Sequence, residues 1–463
     1  MSYQKFLECK KIKHIQSGFE IDRDQIHSIL FDYQKDLVKW ALKIGRAALF
    51  TMTGTGKTLM QVEYARQVYG KTGGNILILA PLAVSAQTIR EAVKIGVTIN
   101  YAHNQKETKP GITITNYERI DNFTPEYFSG IVLDESSILK SFDSSTRTIL
   151  TDKFKQTPYK LACTATPAPN DFMELGNHAE FLNVMSRTEM LSMFFVHDGG
   201  DTSKWRLKGH ARDKFWEWCA SWAAILSKPS DLGYSDEGFI LPELRTHEIV
   251  TPSEAPDGML FAFEAQTLEE RRLGRQSSFK GRVERAADIV NKSDDRFLVW
   301  CDLNIESDAL RKAIPGCVEV KGSDSQEHKE KSMLDFSAGK IKCLVSKPSI
   351  CGFGMNFQVC HKMVFVGLSD SFEQYFQAVR RCWRFGQKKP VDVYVITSEA
   401  EGAVVKNIKR KERDAMVMIN SMVEYTKSFV MDNLKKAVKL DRTYCPDKSI
   451  IIPAWLKSEK GEN

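Results

Sequence analysis

A glycine-rich run that ends in lysine and threonine is the clearest chemical signature in the sequence. It occupies residues 53–58, directly after an apolar stretch at 47–52. When such a run joins a strand to a helix, its backbone N–H groups face bound phosphates at the start of the helix. This pattern assigns five residues to a bound nucleotide: Gly54, Thr55, Gly56, Lys57 and Thr58. Lys57 would reach the β- and γ-phosphates, and the hydroxyl of Thr58 would ligate Mg²⁺. The sequence therefore predicts a nucleoside-triphosphate site.

An acidic pair, Asp134 and Glu135, closes a second apolar run at residues 131–133. Ligands of parallel sheets collect at the carboxyl ends of the strands, so this pair is expected near the glycine-rich loop. There Asp134 would hold Mg²⁺ and Glu135 would polarise the attacking water. Either signal alone is weak, but metal-assisted phosphoryl transfer requires both.

The elements that must position these residues form two series of short apolar runs that alternate with segments of helical period. The predicted strands of the first series are residues 47–52, 75–80, 111–115, 131–133 and 160–163. Those of the second series are residues 297–301, 317–320, 342–345, 362–366 and 391–396. Such alternation is typical of βαβ units. The sequence therefore predicts an α/β fold with two lobes, each built on a parallel sheet.

The chain divides into five expected parts. They are an N-terminal extension (1–30), lobe one (31–186), a tryptophan-rich helical insertion (187–250), lobe two (251–405) and a basic helical C-terminal end (406–463). In the basic end, a solvated helix face is favoured over a stripe that tracks phosphates.

An aromatic stripe marks the insertion. Phe215, Trp218, Cys219 and Trp222 are spaced so that they share one side of a helix. The favoured interpretation is that this stripe packs against lobe one, because most aromatic stripes are core. A platform on which nucleic-acid bases stack is the alternative.

Composition excludes several classes of protein. The chain has 463 residues, of which 42% are hydrophobic and 27% charged, the balance of a multidomain globular protein. It has no stretch of 18 predominantly apolar residues and no signal-peptide core, so neither a membrane nor a secreted protein is expected. Its ten cysteines include no CxxC pair, which favours a reduced, cytoplasmic protein without a zinc site. The net charge of +6 permits a polyanionic partner.

Several segments resemble the motifs of superfamily-two helicases. Residues 134–137 resemble the DExH box, and the further matching segments are Tyr33-Gln34 and residues 80–82, 115–118, 164–167 and 352–356. Residues 377–387 match the Q-x-x-x-R-x-x-R-x-G-Q signature of Swi/Snf-type ATPases, which translocate on double-stranded DNA. The resemblance implies two tandem RecA-like P-loop lobes that use ATP and Mg²⁺.

The resemblance also implies roles for single residues. Arg381 and Arg384 would be arginine fingers, because guanidinium stays charged and meets phosphate oxygens bidentately; a solvated basic helix is the alternative. The other implied roles are adenine reading for Gln34, nucleotide contact for Gly354, nucleic-acid contact for Thr115 and Asn356, and coupling for Thr164, Thr166 and Gln377. Among the departures from the family pattern, Ser137 replaces the last residue of the box, and Arg380 stands where the family has an acid.

Three functions are open on this basis. The first is an ATP-driven translocase on duplex DNA, in replication, recombination or repair, working as a monomer with a replication or repair protein as partner. The second is a helicase that separates strands of DNA or RNA, and the third is a nucleotide-switched clamp without productive turnover. A small motor of this kind is typical of bacteriophages, which places it in the host cytoplasm.

Overall fold

The computed structural model describes residues 17–140, 145–198, 201–252, 274–352 and 355–435. Two α/β lobes follow one another along the chain, each with a parallel sheet flanked by helices. This confirms the predicted fold class. No helix in the described ranges has both the length and the apolar character needed to cross a membrane.

Lobe one contains nine strands. They are β1 (Arg46–Thr51), β2 (Asn75–Leu79), β3 (Ile99–Tyr101), β4 (Ile112–Thr115), β5 (Phe128–Asp134), β6 (Tyr159–Cys163), β7 (Phe195–Asp198), β8 (Asp201–Leu207) and β9 (Ala223–Leu226). Seven of them form a parallel sheet in the order β3-β4-β2-β5-β6-β1-β9, and β7 and β8 form a separate antiparallel hairpin. The central strands are apolar on both faces because helices cover both sides of the sheet.

The helices of lobe one connect and cover these strands. They are α1 (Asp32–Ile44), α2 (Lys57–Thr72), α3 (Leu82–Lys94), α4 (Ser145–Lys153), α5 (Leu175–Phe181), α6 (Arg187–Phe194) and α7 (Arg212–Ala220). Helix α2 begins directly after the glycine-rich loop, and β5 ends at the acidic pair. Both signatures therefore lie at the same edge of the sheet.

Within its described residues, lobe two has six strands and five helices of its own. The strands are β10 (Leu244–Thr251), β11 (Phe297–Cys301), β12 (Val318–Val320), β13 (Cys343–Ser346), β14 (Lys362–Val366) and β15 (Val391–Ser398). The helices are α8 (Phe279–Asn291), α9 (Asn304–Ala313), α10 (Gln326–Ser337), α11 (Pro348–Cys351) and α12 (Phe372–Val379). The sheet order is β10-β15-β14-β11-β13-β12, and every pairing is parallel.

All ten predicted strands are present, but the domain boundaries differ from the expected ones. Strand β9, within the expected insertion, pairs with β1 and so completes the sheet of lobe one. Strand β10 pairs with β15 along its whole length, so lobe two begins before residue 251. The segment 187–250 is therefore not a separate helical insertion. A run of four apolar residues such as β9 is too short to identify as a strand from periodicity.

The tryptophan stripe is core. Phe215, Trp218, Cys219 and Trp222 are at most 5% exposed and lie in the core of lobe one, where the Trp218 ring contacts the rings of Phe194, Phe215 and Trp222. The favoured interpretation of this stripe is confirmed. The alternative, a base-stacking platform, is wrong for these three rings, because none of them presents a free face.

A final helix, α13 (Gly402–Lys435), joins the two lobes. Its 34 residues span about 51 Å. It starts beside lobe two, and its second half packs against α1, α7 and β9 of lobe one, where Met418 and Met422 are buried. Between these ends, Lys411 Nζ donates to Asn170 of lobe one and to the carbonyl oxygen of Asp370 of lobe two. The expected solvated face exists, but it is only one side of a helix that is otherwise packed.

Candidate functional site

The glycine-rich loop has the backbone that phosphate binding requires. Gly54 and Gly56 adopt φ values of +89° and +81°, which favour glycine. A Cβ at Gly56 would lie 2.2 Å from Gln34 Nε2, and one at Gly54 would lie 3.1 Å from the Phe385 ring. Helix α2 starts at Lys57, so the N–H groups of its first turn point into the loop.

Polar groups around the loop fit a phosphate ligand. Lys57 Nζ donates to the carbonyl oxygen of Thr51 at 2.7 Å, and burial lowers the pKa of its ammonium group, against the attraction of nearby carboxylates. The hydroxyls of Thr51 and Thr53 are buried, and neither has a hydrogen-bond partner in the described structure. Thr58 is half-buried in the first turn of α2. These groups fit a triphosphate with its metal ion.

The two residues of the acidic pair, Asp134 and Glu135, are positioned differently, one by side-chain hydrogen bonds and the other by its backbone conformation. Asp134 Oδ1 accepts a hydrogen bond from Gln61 Nε2 of α2 at 2.7 Å and another from the N–H of Glu135. Glu135 has a φ of +52°, a left-handed conformation that is uncommon for a residue with a side chain. Burial raises the pKa of both carboxyl groups, that of Glu135 to about 7 despite the attraction of Lys57.

Groups from both lobes converge on Glu135. In lobe one, Thr164 Oγ1 donates to Glu135 Oε2 at 3.3 Å, and the N–H of Thr166 donates to Thr164 Oγ1. From lobe two, Gln377 Nε2 reaches the same carboxylate oxygen at 3.5 Å. The three residues expected to couple the lobes therefore form one chain of contacts.

The two candidate arginine fingers lie on the lobe-two side of this cleft. Arg381 is 4% exposed and donates to Gln377 Oε1 at 3.0 Å, to the Gln377 carbonyl oxygen and to the carbonyl oxygen of Met355. Burial lowers the pKa of its guanidinium to about 10, so it stays charged at neutral pH. Arg384 is half-buried, and its Nε has no partner among the described residues. The alternative of a solvated basic helix is wrong for Arg381.

A direct link between the lobes was missed by sequence reasoning. Glu373 of α12 accepts hydrogen bonds from Ser137 Oγ and from Lys140 Nζ of lobe one. Ser137 thus contacts lobe two directly. Glu373 and Gln377 are four residues apart and share one side of α12, which is the only sequence signal that points to Glu373.

Other expected site residues have different surroundings from those predicted. Gln34 donates to the Thr55 carbonyl oxygen at 2.7 Å and accepts from the N–H of Phe31, so its amide anchors the loop and is not free to read adenine. Thr115 is fully buried, which is incompatible with nucleic-acid contact in this conformation. Asn356 is exposed and bonds Gln358. Gly354 lies outside the described residues.

Four aromatic rings lie beside the loop and were not predicted to belong to the site. The Phe239 ring, from the segment between the lobes, makes edge contacts with Phe31, Tyr33 and Phe385 at centroid distances of 5.3 to 5.5 Å. Phe31 is 57% exposed. The rings give the loop an apolar border that suits the flat face of a nucleobase.

The cleft has a glycine-rich loop and an acidic pair on the side of lobe one, and arginines on the side of lobe two. This arrangement is that of a two-lobed P-loop ATPase. Two family models match the chain: "Type III restriction enzyme, res subunit" over residues 27–169 and "Helicase conserved C-terminal domain" over residues 281–386. The chain carries the two domains of a superfamily-two helicase, and its residues 377–387 resemble the signature of the Swi/Snf type. Its class comprises nucleic-acid-dependent ATPases.

Individual proteins are similar to this chain over different parts of its length. Protein p41 of Acyrthosiphon pisum secondary endosymbiont phage 1 is 24% identical over an alignment that covers 83% of this chain and 97% of p41. The bifunctional helicase and thymine dioxygenase JBP2 of Leishmania braziliensis is 30% identical over 34% of this chain, and the match spans 15% of the length of JBP2. A fragment described as an HsdR subunit of a type I restriction enzyme from Vibrio vulnificus shares the fold, with a TM-score of 0.51 and 16% identity over 83% of this chain and 68% of the fragment.

Proposed function

We propose that this protein hydrolyses ATP between its lobes to move along duplex DNA in replication, recombination or repair. The observation that carries the proposal is the convergence on Glu135 of Thr164 from lobe one and Gln377 from lobe two. Because Gln377 also holds Arg381, any change at the acidic pair is felt by the second lobe. A P-loop kinase built on a single lobe would not need a connection between two lobes.

Each group in the cleft has a task that follows from its position. ATP, bound with Mg²⁺, supplies the phosphoryl group that is transferred to water. The loop N–H groups and Lys57 would bind the phosphates, while Thr58 and Asp134 would hold the metal ion. Glu135 would take the proton of the attacking water, since a carboxyl group with a pKa of about 7 is an effective base at neutral pH. Arg381 and Arg384 would stabilise the charge that develops on the phosphate.

The choice of DNA rests on the relatives and on the motif set. JBP2 is by its name both a helicase and a thymine dioxygenase, and thymine is a base of DNA. The Swi/Snf-like segment at 377–387 favours a duplex over a single strand. Binding would depend on phosphates, so DNA affinity should fall steeply with salt.

The test is steady-state ATP hydrolysis at low salt without nucleic acid and with duplex DNA, single-stranded DNA or RNA. Duplex DNA should give the greatest stimulation. Lys57→Ala should lower the stimulated rate at least about 100-fold, because the phosphates lose their cation. Lys71→Ala is the matched control: Lys71 is an exposed residue in the last turn of the same helix, and its loss should change little.

Three other results would reject the proposal, and the first two of them would each favour an alternative function. Stimulation by single strands or RNA alone would indicate a strand-separating helicase. Nucleotide binding without stimulation by any nucleic acid would indicate a clamp. A Lys57→Ala variant as active as the Lys71→Ala control would remove the assigned ATP site itself.

A further inference from the structure

A cavity lies on the other side of α12 from the cleft. Its volume is about 770 Å³, within the range of small-molecule sites. Its walls come from the segment between β9 and β10, from lobe two and from α13. The cavity borders the proposed ATP site, because Met52, Phe239 and Phe385 line it, but no residue of the glycine-rich loop at 53–58 does.

The cavity walls are mainly apolar. The side chains that form them include Leu241, Leu244, Phe372, Phe376, Trp383 and Ile408. Among the lining residues, the apolar side chains of Ile240 and Met416 are 75% and 50% exposed. An apolar ligand would remove this surface from water.

Within the described part of the chain, the buried Arg380 side chain of this cavity has no carboxylate partner. Arg380 is 5% exposed, and its Nε and Nη1 atoms are buried without a hydrogen bond. Its guanidinium carbon lies 4.2 Å from the centre of the Trp383 ring and 5.1 Å from that of Phe376. The rings hold the guanidinium plane but satisfy none of its N–H groups. A buried charge without a counter-ion is unstable unless a ligand supplies one.

The other charges around the cavity are mostly neutralised within the protein. Lys409 pairs with Glu248 at 2.6 Å, and Lys228 pairs with Asp236 at 3.0 Å. Asp231 accepts from the N–H groups of Ser227 and Lys228. Glu412 has neither a hydrogen bond nor an ion pair within the described part of the chain, and it is exposed at the rim. Arg380 is thus the unpaired charge in the interior.

We propose that this cavity binds a small amphipathic anion, with an apolar body against the aromatic and aliphatic walls and a single carboxylate, sulfonate or phosphate group on Arg380. The guanidinium fork meets such oxygens with two parallel hydrogen bonds. The proposal does not rest on the ATPase activity proposed above.

Two fluorescent probes test the proposal on the full chain. 8-Anilinonaphthalene-1-sulfonate is an apolar anion, and N-phenyl-1-naphthylamine is its neutral counterpart. The sulfonate should bind at one site per chain and keep its affinity in Lys57→Ala. Arg380→Met should weaken the sulfonate about tenfold or more and leave the neutral probe within about twofold, since only the anion loses charged hydrogen bonds. Arg285→Met, at a half-exposed site on α8, is the matched control.

A second pair of variants does not touch Arg380. Ala415 lines the cavity on α13, whereas Val417, two residues further on, does not. Ala415→Trp should fill the cavity and abolish binding of both probes, while Val417→Trp should leave both unchanged. The proposal is overturned if the sulfonate does not bind, or if Arg380→Met weakens both probes equally. Should Arg380→Met fail to fold, equal binding by the two tryptophan variants overturns it.

Discussion

Two neighbouring arginines at the end of α12 have opposite surroundings. Arg381 turns to the cleft and donates three hydrogen bonds, to Gln377 and Met355. Arg380 turns to the cavity beside α13 and donates none from Nε or Nη1. Arg381 therefore belongs to a polar network in the cleft, whereas Arg380 lies in an apolar enclosure with its Nε and Nη1 unsatisfied. The role of a buried charge is therefore set by its hydrogen-bond partners and not by its neighbours in the sequence.

The difference follows from how each region is built. The cleft is formed by the carboxyl ends of strands and by the start of α2, where backbone groups and short polar side chains are close at hand. The cavity lies between the inter-lobe segment, one face of α12 and α13, whose inner surfaces are apolar. Four predictions separate the two regions, beginning with the largest expected effect.

Removing the proposed base should nearly stop the cleft reaction. Glu135→Gln keeps the shape of the side chain but loses its basicity, so DNA-stimulated ATP hydrolysis should fall about 10²- to 10⁴-fold. Nucleotide binding, measured by equilibrium titration, should persist. Glu118→Gln, at an exposed position, is the control. Equal rates for the two variants would show that proton transfer at Glu135 is not part of the reaction.

The packing of α13 on lobe one should instead be visible in the stability of the protein. Met422 of α13 is fully buried against lobe one. Met422→Ala should lower the free energy of unfolding by about 2–4 kcal/mol, because less apolar surface is buried on folding and the space that the side chain filled is left empty. Met416→Ala, half exposed on the same helix, should cost less than about 0.5 kcal/mol. Urea unfolding measures both. Similar small losses would mean that the end of α13 is not packed on lobe one in solution.

Local patterns made much of the molecule predictable. The loop at 53–58 and the acidic pair carry their backbone context in their own residues, and strands buried on both faces are apolar along their whole length. Strands β9 and β10 were missed because each is defined by a distant partner, β1 or β15. A strand of this kind has no local signature.

Side-chain roles were harder to predict than positions. A motif gives the residue type but not the destination of its hydrogen bonds: the amide of Gln34 is used by the loop, and Thr115 is sealed inside lobe one. The link from Ser137 and Lys140 to Glu373 spans more than 230 residues of chain, so no local pattern contains it. The buried stripe of α13 was hidden by the many charges on its other face.

The third prediction concerns pH. Burial raises the pKa of Glu135 to about 7, and the base must be deprotonated, so kcat/KM for ATP should rise about tenfold between pH 6 and pH 8. A carboxyl group at its ordinary value would give a flat profile over this range. The same shift contributes stability that is fully present below the ordinary value near 4.5 and is lost as the pH rises through 7. The residual activity of Glu135→Gln should not show this rise between pH 6 and pH 8. If the rise persists in that variant, another group is responsible for it.

The smallest effect is expected at the link between the lobes. Glu373→Gln keeps an acceptor for Ser137 but loses the charge that attracts Lys140, whose side chain is 35% exposed, so solvent limits the loss to about 1 kcal/mol. The ratio of DNA-stimulated to basal ATP hydrolysis should therefore fall about fivefold, while Glu330→Gln, exposed on α10, leaves it unchanged. Because Ser137 and Glu373 share one contact, combining Ser137→Ala with Glu373→Ala, which removes the acceptor, should lower the ratio by less than the product of the two separate effects. Independent effects would mean that the lobes communicate through Glu135 and Gln377 alone.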